Sequence, residues 1–358
     1  MPKYIINGDF LCMNLTGIER FAYELCANLD LLLEDYIDKK DFLGIFVPAN
    51  AKLIPNYKNI SVFVSDKNLK SVPKWSIFVY GNFLRKQKAI GIDFANTTSL
   101  ISPGISFVHD IYCKLYPNDF KGFKDKLLRR YSCFLYWYVA KFAKKIFTVS
   151  KFSQDQFSEI YHVNKDKIKV IPNGWDHLKK VQADYKIFEK NPKLQGDFYF
   201  SLGSLSKRKN LKWILNYASS HKDDIFAISG KMFENLVPTE LKDLKSLDNV
   251  ILLGYVSDGE VKALMSKCKA FIFPSYYEGF GIPPLEALSC GAKIVVSDAS
   301  CLPEIYGKTA HYISPDNADV NLEEILKNPV EPPDEVLEKF TYANAAKKFF
   351  YELTAINL

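Results

Sequence analysis

The sequence lacks the features that mark several classes of protein. Its seven cysteines are odd in number and none are spaced as Cys-x-x-Cys, so neither a disulfide framework nor a zinc site is indicated. No apolar run reaches the roughly 18 residues that a membrane-spanning helix needs. The first residues lack the apolar segment of a secretory signal. Reduced thiols and the lack of both segments predict a cytoplasmic protein.

The chain also lacks a strong charge of one sign. It carries 47 basic and 41 acidic residues, a net charge of +6 over 358 residues. This excess is too small to indicate a dedicated nucleic-acid binder, but it suits anionic partners such as phosphates, nucleotides or lipid headgroups. Hydrophobic residues at 48% and charged residues at 25% are typical of a globular protein, and the length predicts about two domains.

Short β-rich runs alternate with helical patterns in two successive series. The predicted strands are 4–7, 42–47, 60–64, 106–109, 146–149 and 168–171, followed by 198–202, 225–228, 250–253, 270–273 and 293–296. This alternation predicts βαβ units and therefore parallel sheets in an α/β protein. We expect a first domain at 1–177, a polar linker at 178–196, a second domain at 197–334 and a final helix at 335–358.

The first candidate site is the segment 14–20, which follows the first strand and opens a helix. Thr16 and Glu19 have the spacing of a capping box. Gly17 would let a ligand approach the backbone closely, and a helix N-terminus beside a first strand can bind an anion. An ordinary capped helix explains the same residues.

The second candidate is His109, with Asp110 beside it, at the end of a predicted strand. Ligands of α/β sheets gather outside the carboxyl ends of the strands. An imidazole oriented by the neighbouring carboxylate could exchange protons near neutral pH. A surface histidine with no catalytic role is the alternative.

The third candidate is the run Lys207, Arg208 and Lys209, which follows the first strand of the second series and precedes a helix. Cations at a helix N-terminus can clamp phosphate groups. A solvated charge run accounts for the pattern equally well.

The most specific segment is 274–288, which again follows a strand. Gly279 and Gly281 permit a tight loop, and the prolines after Ile282 suit the first turn of a helix. Glu278 precedes this helix and Glu286 lies inside it, so both carboxylates are expected to face one cleft. Packing alone does not explain two glutamates at this spacing around a glycine loop.

Taken together, these motifs resemble the retaining glycosyltransferases of family 4. EGFGIPPLE matches the E-x7-E motif of that family, and TGIERF, HDIY, VSKFS, IPNG, LGSLSKRKNL and LPE occur in the expected order. The resemblance covers nearly the whole chain. It implies the GT-B fold, in which two Rossmann-like domains face each other across a cleft. It also implies that the C-terminal helix crosses back to the first domain.

The resemblance further implies roles for individual residues. Lys209, with Arg208 as a helper, would neutralise the donor diphosphate. Glu286 would accept hydrogen bonds from the ribose hydroxyls, and Glu278 would contact the donor sugar and stabilise charge at the reacting centre. His109 would contact the sugar near the acceptor.

Other positions would bind the donor through their backbone. Gly17 would approach the diphosphate from the first domain, and the chain near Tyr255 and Val256 would cradle the base. The amides that would hold sugar or phosphate are those of Gly279, Phe280, Gly281 and Ile282. The family often has an arginine where this chain has Ser204, and Arg208, Lys207 or Arg20 would replace its charge.

Cations and helix N-termini can meet the charge of a departing diphosphate without a metal. No D-x-D metal-ligand motif follows a predicted strand, so we expect no metal and no cofactor beyond the nucleotide-sugar co-substrate. The family implies retention by front-face attack, with the departing phosphate taking the acceptor proton.

The donor is expected to be GDP-mannose, because the HD, VSKFS and NGWD segments resemble mannosyl- and rhamnosyltransferases. dTDP-rhamnose and UDP-sugars remain alternatives. The acceptor would be a glycan or a lipid-linked glycan in capsule or O-antigen synthesis. Two other functions are weighed: another GT-B enzyme, such as a nucleotide-sugar epimerase or hydrolase, and a noncatalytic module that binds nucleotide sugars or nucleic acid.

The segment 121–145 combines aromatic residues with eight cations and one acid. Leu127, Tyr131, Phe134, Tyr138 and Phe142 follow a helical spacing. A basic aromatic helix can lie on an anionic membrane, which would attach the protein peripherally. A helix in the core of the first domain, with a solvated end, is the alternative.

Overall fold

The computed structural model describes residues 3–15, 17–36, 42–203, 206–230 and 247–355. Thr16 of the predicted capping box and Ser204 lie outside the described residues. The chain folds as two compact units. The first unit runs to Gly174 and resumes at Tyr342, and the second comprises Trp175–Thr341.

The first unit is built on a parallel sheet. Its strands are β1 (Tyr4–Asn7), β2 (Leu43–Val47), β3 (Ser61–Val64), β4 (Ile90–Asp93), β5 (Ile105–Phe107), β6 (Lys145–Thr148) and β7 (Ile168–Val170). They lie in the order β3-β2-β1-β4-β5-β6-β7. All four residues of β1 are buried, as expected of a parallel strand covered on both faces.

Helices flank this sheet. They are α1 (Gly17–Leu33), α2 (Val72–Lys74), α3 (Gly81–Gln87), α4 (Tyr112–Leu115), α5 (Phe123–Phe142) and α6 (Lys151–Tyr161), and a π-helix (Trp75–Tyr80) joins α2 to α3. No helix in the described part of the chain has both the length and the apolar character that crossing a membrane requires.

The second unit repeats the architecture. Its strands are β8 (Tyr199–Leu202), β9 (Phe226–Ser229), β10 (Val250–Gly254), β11 (Ala270–Phe273), β12 (Ile294–Ser297) and β13 (His311–Ile313), in the order β10-β9-β8-β11-β12-β13. The helices are α7 (Lys186–Lys190), α8 (Leu211–Ser220), α9 (Asp258–Lys267), α10 (Ile282–Ser289), α11 (Leu302–Tyr306), α12 (Leu322–Lys327) and α13 (Asp334–Lys339). Each unit is therefore a Rossmann-like α/β layer structure.

The segment 178–196, predicted as a linker, is instead a folded part of the second unit. It contains α7, and its apolar side chains Ile187 and Leu194 are buried. Lys262 of α9 donates hydrogen bonds to the carbonyl oxygens of Leu178 (2.8 Å) and Val181 (2.9 Å). The polar composition misled the prediction because a few well-spaced apolar residues are enough to anchor a short helix.

The predicted final helix at 335–358 is in fact two helices, in different units. α13 belongs to the second unit, and α14 (Tyr342–Thr354) belongs to the first. Phe349 of α14 is fully buried, and its ring centroid lies 5.3 Å from that of Phe107 and 5.0 Å from that of Phe147. Tyr4 of β1 donates a hydrogen bond to the Leu353 carbonyl (3.2 Å). The end of the chain thus completes the core of the first unit.

Two strands escaped the sequence analysis, β4 and β13. β4 contains Gly91, a residue with low β propensity. A side chain at this position would clash, because a Cβ atom would lie 2.7 Å from Leu84 and 2.8 Å from the Tyr80 hydroxyl. Tertiary packing therefore requires the glycine that disguised the strand.

Candidate active site

The centre of the second sheet provides a natural ligand crevice. β8 is the first strand of this sheet and β11 the fourth, yet they lie side by side. The connections after the two strands lead away in opposite directions, which opens a crevice outside their carboxyl ends. The chain leaves β8 at Gly203 and β11 at Pro274 beside this crevice, and the cationic run 207–209 contacts the loop 274–281, so the two motifs singled out in the sequence meet at one place.

The cationic run 207–209 is held in place by contacts of Asn210 and of its own backbone. Asn210 has φ +56° and starts α8. Its side-chain amide donates to the carbonyl oxygens of Pro274 (3.0 Å) and Pro315 (2.7 Å). The Tyr276 N–H donates to the Arg208 carbonyl (3.1 Å). These bonds hold the cationic run against the loop 274–281.

Lys209 and Glu278 form the central contact of the site. Their Nζ and Oε1 atoms are 2.7 Å apart, and Arg208 approaches the other carboxylate oxygen at 3.7 Å. Glu278 is only 5% exposed. Burial alone would raise the pKa of the Glu278 carboxyl, but the charges of Lys209 and Arg208 outweigh burial and hold its pKa below the ordinary value. The site therefore contains a buried, ionised carboxylate paired with two cations.

The backbone of the loop 274–281 is held from behind by the segment 297–306. Ser300 accepts a hydrogen bond from the Glu278 N–H (3.1 Å), and the Cys301 thiol donates to the Glu278 carbonyl (3.3 Å). Tyr306 donates to the Gly281 carbonyl. Gly281 has φ +84°, and a Cβ atom there would lie 2.6 Å from Leu302. The loop is therefore preorganised, and glycine is required at Gly281.

Glu286, one helical turn into α10, has a different partner from Glu278. Its Oε1 lies 3.1 Å from Nε2 of His177, and its side chain is 13% exposed. The sequence pointed to Glu286 but not to His177, which follows the NGWD segment without any motif of its own. Only the fold reveals that this histidine and this glutamate meet.

The predicted donor-binding residues Phe280, Val256 and Tyr255 differ in the exposure of their side chains. Phe280 is buried and its ring packs edge-to-face on Phe340, with centroids 5.3 Å apart. Val256 is buried as well, whereas the Tyr255 side chain is 84% exposed. The predicted role of backbone amides at these positions stays a prediction.

His109, in the first unit, lies in surroundings that disfavour the proton exchange suggested by the sequence. It is buried, and its Nε2 lies 2.7 Å from the Phe94 carbonyl oxygen. Burial lowers the pKa of His109 to about 4, so the ring is neutral near pH 7. The Asp110 carboxylate accepts a hydrogen bond from the Tyr112 N–H (3.0 Å). A carbonyl only accepts, so Nε2 carries the proton and Nδ1 presents a lone pair.

The neighbouring VSKFS motif serves the same histidine structurally. Ser150 caps α6 by accepting a hydrogen bond from the Ser153 N–H (3.1 Å), and the Ser153 hydroxyl donates to the His109 carbonyl (3.1 Å).

Gly17, the predicted site residue at the start of α1, has φ +43°, and among the described residues no atom lies within 4 Å of a Cβ placed there. The backbone conformation, not crowding, requires that glycine.

A buried carboxyl pair at the carboxyl ends of β1 and β4 was missed by the sequence analysis. Asn7 donates to Asp93 (2.9 Å) and, more weakly, to Asp9 (3.5 Å), and it accepts the Trp75 indole N–H (2.8 Å). Burial raises the pKa of Asp93 to about 8 and that of Asp9 to about 7. Because β1 and β4 form the switch point of the first sheet, this cluster occupies its equivalent crevice position. An Asn-Gly-Asp run at a strand end was the available signal.

Comparison with known proteins decides the family. Residues 184–345 match the family model described as glycosyl transferases group 1, and residues 69–177 match the one described as glycosyltransferase family 4. The chain is a family 4 glycosyltransferase with the GT-B fold.

Relatives of this transferase are found along its whole length. It is 26% identical over 351 residues to the O-antigen chain mannosyltransferase RfbU of Salmonella typhimurium, covering 93% of this chain and 92% of that protein. It is 27% identical over 196 residues to the O-antigen chain mannosyltransferase B of Escherichia coli, covering 52% of this chain and 51% of that protein. Among solved structures, the chain is similar to Anabaena HepE in complex with UDP-glucose, with a TM-score of 0.70 and 18% identity. The match spans 99% of this chain and 100% of HepE, and it shows a similarity of fold alone.

Proposed function

We propose that this transferase moves a hexose from a nucleotide-diphosphate sugar to a glycan or lipid-linked glycan in cell-surface polysaccharide synthesis, with retention and without a metal or other cofactor. One observation carries the proposal. The buried, ionised Glu278 is paired with Lys209 at the crevice of the second unit, in a chain of this family.

The chemistry of the site suits a departing diphosphate. Negative charge grows on the phosphate oxygens as the glycosidic bond breaks, and preorganised cations stabilise such charge most effectively. Lys209 and Arg208 are already held near the crevice, and the first turn of α10 adds the positive end of a helix dipole. Glu278 would then contact the sugar hydroxyls and stabilise its oxocarbenium-like centre.

His109 fits a hydrogen-bonding role better than acid–base catalysis. Its pKa of about 4 keeps the ring neutral, and its Nε2–H is engaged by the Phe94 carbonyl. Nδ1 would therefore accept a hydrogen bond from a sugar hydroxyl. The acceptor proton would go to the departing phosphate, as front-face retention requires.

The donor is tested directly by binding. We propose GDP-mannose, because the relatives above are named mannosyltransferases; UDP-sugars and dTDP-rhamnose are the alternatives. Thermal shift and slow donor hydrolysis, measured with a nucleotide-sugar panel on wild type and on Glu286→Ala, should single out one base in the wild type only. Stabilisation by unrelated ligands alone would refute the proposal.

Turnover separates a transferase from a binding module. Glu278→Gln keeps the size of the side chain but removes its charge, so it should lose most turnover while the nucleotide still binds. An NMR assignment of the product anomer tests retention, and assays with excess EDTA test metal independence. A product formed without acceptor, or an epimerised donor, would favour the other GT-B activities.

The outer face of α5 supports peripheral attachment to a membrane. Leu135, Tyr136 and Val139 on its inner face are buried. The residues spaced three and four apart on its outer face are exposed, and they combine apolar with cationic side chains: Phe123, Leu127, Arg130, Phe134, Trp137 and Lys141. Phe123 is 85% exposed. Such a stripe suits the boundary between anionic headgroups and acyl chains, so the core role and the membrane role of this helix are compatible.

A charge reversal near this stripe tests the attachment. Lys124→Glu combined with Arg129→Glu should weaken sedimentation with anionic vesicles by at least about tenfold, because each basic residue near such a surface contributes about 1 kcal/mol. Lys347→Glu with Lys348→Glu, on the exposed side of α14, is the matched control. Equal sedimentation of both double variants would reject the membrane role.

A further inference from the structure

His177, which belongs to no motif recognised in the sequence, contacts the predicted donor-binding residue Glu286. The chain enters the second unit at Trp175, whose indole N–H donates to the Leu337 carbonyl (2.9 Å). On the other side of His177, the buried Leu178 has its carbonyl held by Lys262 (2.8 Å). His177 is therefore anchored by its neighbours on both sides.

The two side chains are almost enclosed where they meet. The His177 side chain is 4% exposed and that of Glu286 is 13% exposed, with Nε2 and Oε1 3.1 Å apart. A carboxylate only accepts hydrogen bonds, so Nε2 carries the proton in this contact. The bond fixes one carboxylate oxygen and the rotamer of the whole side chain, and the small exposed fraction of Glu286 is what a ligand can reach.

The two glutamates are supported in different ways. Glu278 has its charge balanced by Lys209 and Arg208, at 2.7 and 3.7 Å. The Glu286 contact is made by an imidazole on a rigid backbone. The single N–H donor of the imidazole fixes the orientation of the Glu286 carboxylate. A carboxylate held in one orientation can accept hydrogen bonds from two vicinal hydroxyls.

We propose that His177 is a positioning residue for the nucleotide: it holds Oε1 of Glu286 so that the other oxygen, Oε2, accepts hydrogen bonds from the ribose hydroxyls of the donor. This inference rests on the proposed function, because it requires a nucleotide at Glu286. It makes the segment that leads into the second unit part of donor recognition.

Calorimetric titration tests the proposal with ligands that differ only in the ribose. GDP, UDP and dTDP are each compared with the 2′,3′-dideoxy analogue, which lacks the ribose hydroxyls present in the parent. For the base that binds, His177→Ala should raise the Kd of the parent diphosphate about tenfold, the effect of misdirecting one or two hydrogen bonds to a charged group. The Kd of the dideoxy analogue should change less than twofold. His177→Gln, which restores an N–H donor, should recover part of the loss.

Two further variants complete the design. In a Glu286→Gln background, His177→Ala should add little, because both changes act through the same carboxylate. Lys327→Ala, which removes an exposed ion pair with Glu324 in the same unit, should leave every Kd unchanged. An equal loss of affinity for the parent diphosphate and its dideoxy analogue, or no loss for either, would overturn the role of His177. Failure of the wild type to bind any of the diphosphates would overturn the proposed function as well.

Discussion

Replacing Lys209 by methionine isolates the electrostatics of the crevice. Methionine keeps an unbranched apolar stem of similar length, and so preserves packing against the Phe273 ring, over which Nζ lies 4.5 Å from the centroid. The change leaves Glu278 buried with only Arg208 nearby, at 3.7 Å. Removing one partner of a buried ion pair destabilises a protein by about 3–5 kcal/mol, and the remaining cation reduces this to about 2–3 kcal/mol at pH 7.

The loss of stability should depend on pH in a defined direction. In the wild type the pKa of Glu278 lies below its ordinary value, so its contribution is fully present above the unfolded pKa and is lost as pH falls through the folded pKa. In Lys209→Met, burial dominates and raises the pKa of Glu278. Protonation then relieves the buried charge at acid pH. The difference between the two proteins should be small near pH 4 and largest near pH 7.

Calorimetric thermal unfolding from pH 4 to pH 7.5 measures this difference. For a unit of this size 1 kcal/mol shifts Tm by about 2–4 °C, so the second unit should unfold about 5–10 °C lower at pH 7. Lys327→Met is the matched control, because its pair with Glu324 is exposed on both sides and contributes little to stability. A Tm difference that is independent of pH, or larger at acid pH, would refute the reasoning about Glu278.

Three further predictions concern stability. Asp93→Asn should become more stable relative to the wild type by about 3–4 kcal/mol as pH rises from 5 to 8, because the pKa of Asp93 is about 8 in the folded state and far lower in the unfolded state. A difference in urea midpoints that does not change with pH would contradict this. Gly281→Ala should destabilise the second unit by about 2–4 kcal/mol, because the position has φ +84° and the new Cβ atom would clash with Leu302. A variant whose Tm equals that of the wild type would show that the loop adapts. Phe349→Ala should cost the first unit about 3–5 kcal/mol, while the exposed Lys347→Ala should be neutral; equal midpoints in chemical unfolding would exclude a core role for α14.

The two-sheet fold was largely predictable, because its signals are local. Buried β-rich runs such as Tyr4–Asn7 and Ala270–Phe273 alternate with amphipathic helices, and this pattern leaves little choice but parallel sheets. The loop before α10 was predictable for the same reason, since glycine and proline act on their own backbone. The errors were also local in origin. Strand β4 was not predicted because it contains Gly91, and the folded segment around Ile187 was predicted as a linker because its composition is polar.

The sequence by itself thus determined the strands, the helices and the loops at which a ligand would bind. Only the tertiary structure decided which charged and polar groups meet. Glu278 pairs with Lys209, 69 positions away, and Glu286 contacts His177, which the sequence prediction had placed at the end of the first domain. It also decided that His109 is neutral, because burial among distant segments sets its pKa. The physical reason is that desolvation and Coulomb interactions depend on distance through space, which the order of strands in a sheet sets and the spacing of residues along the chain does not.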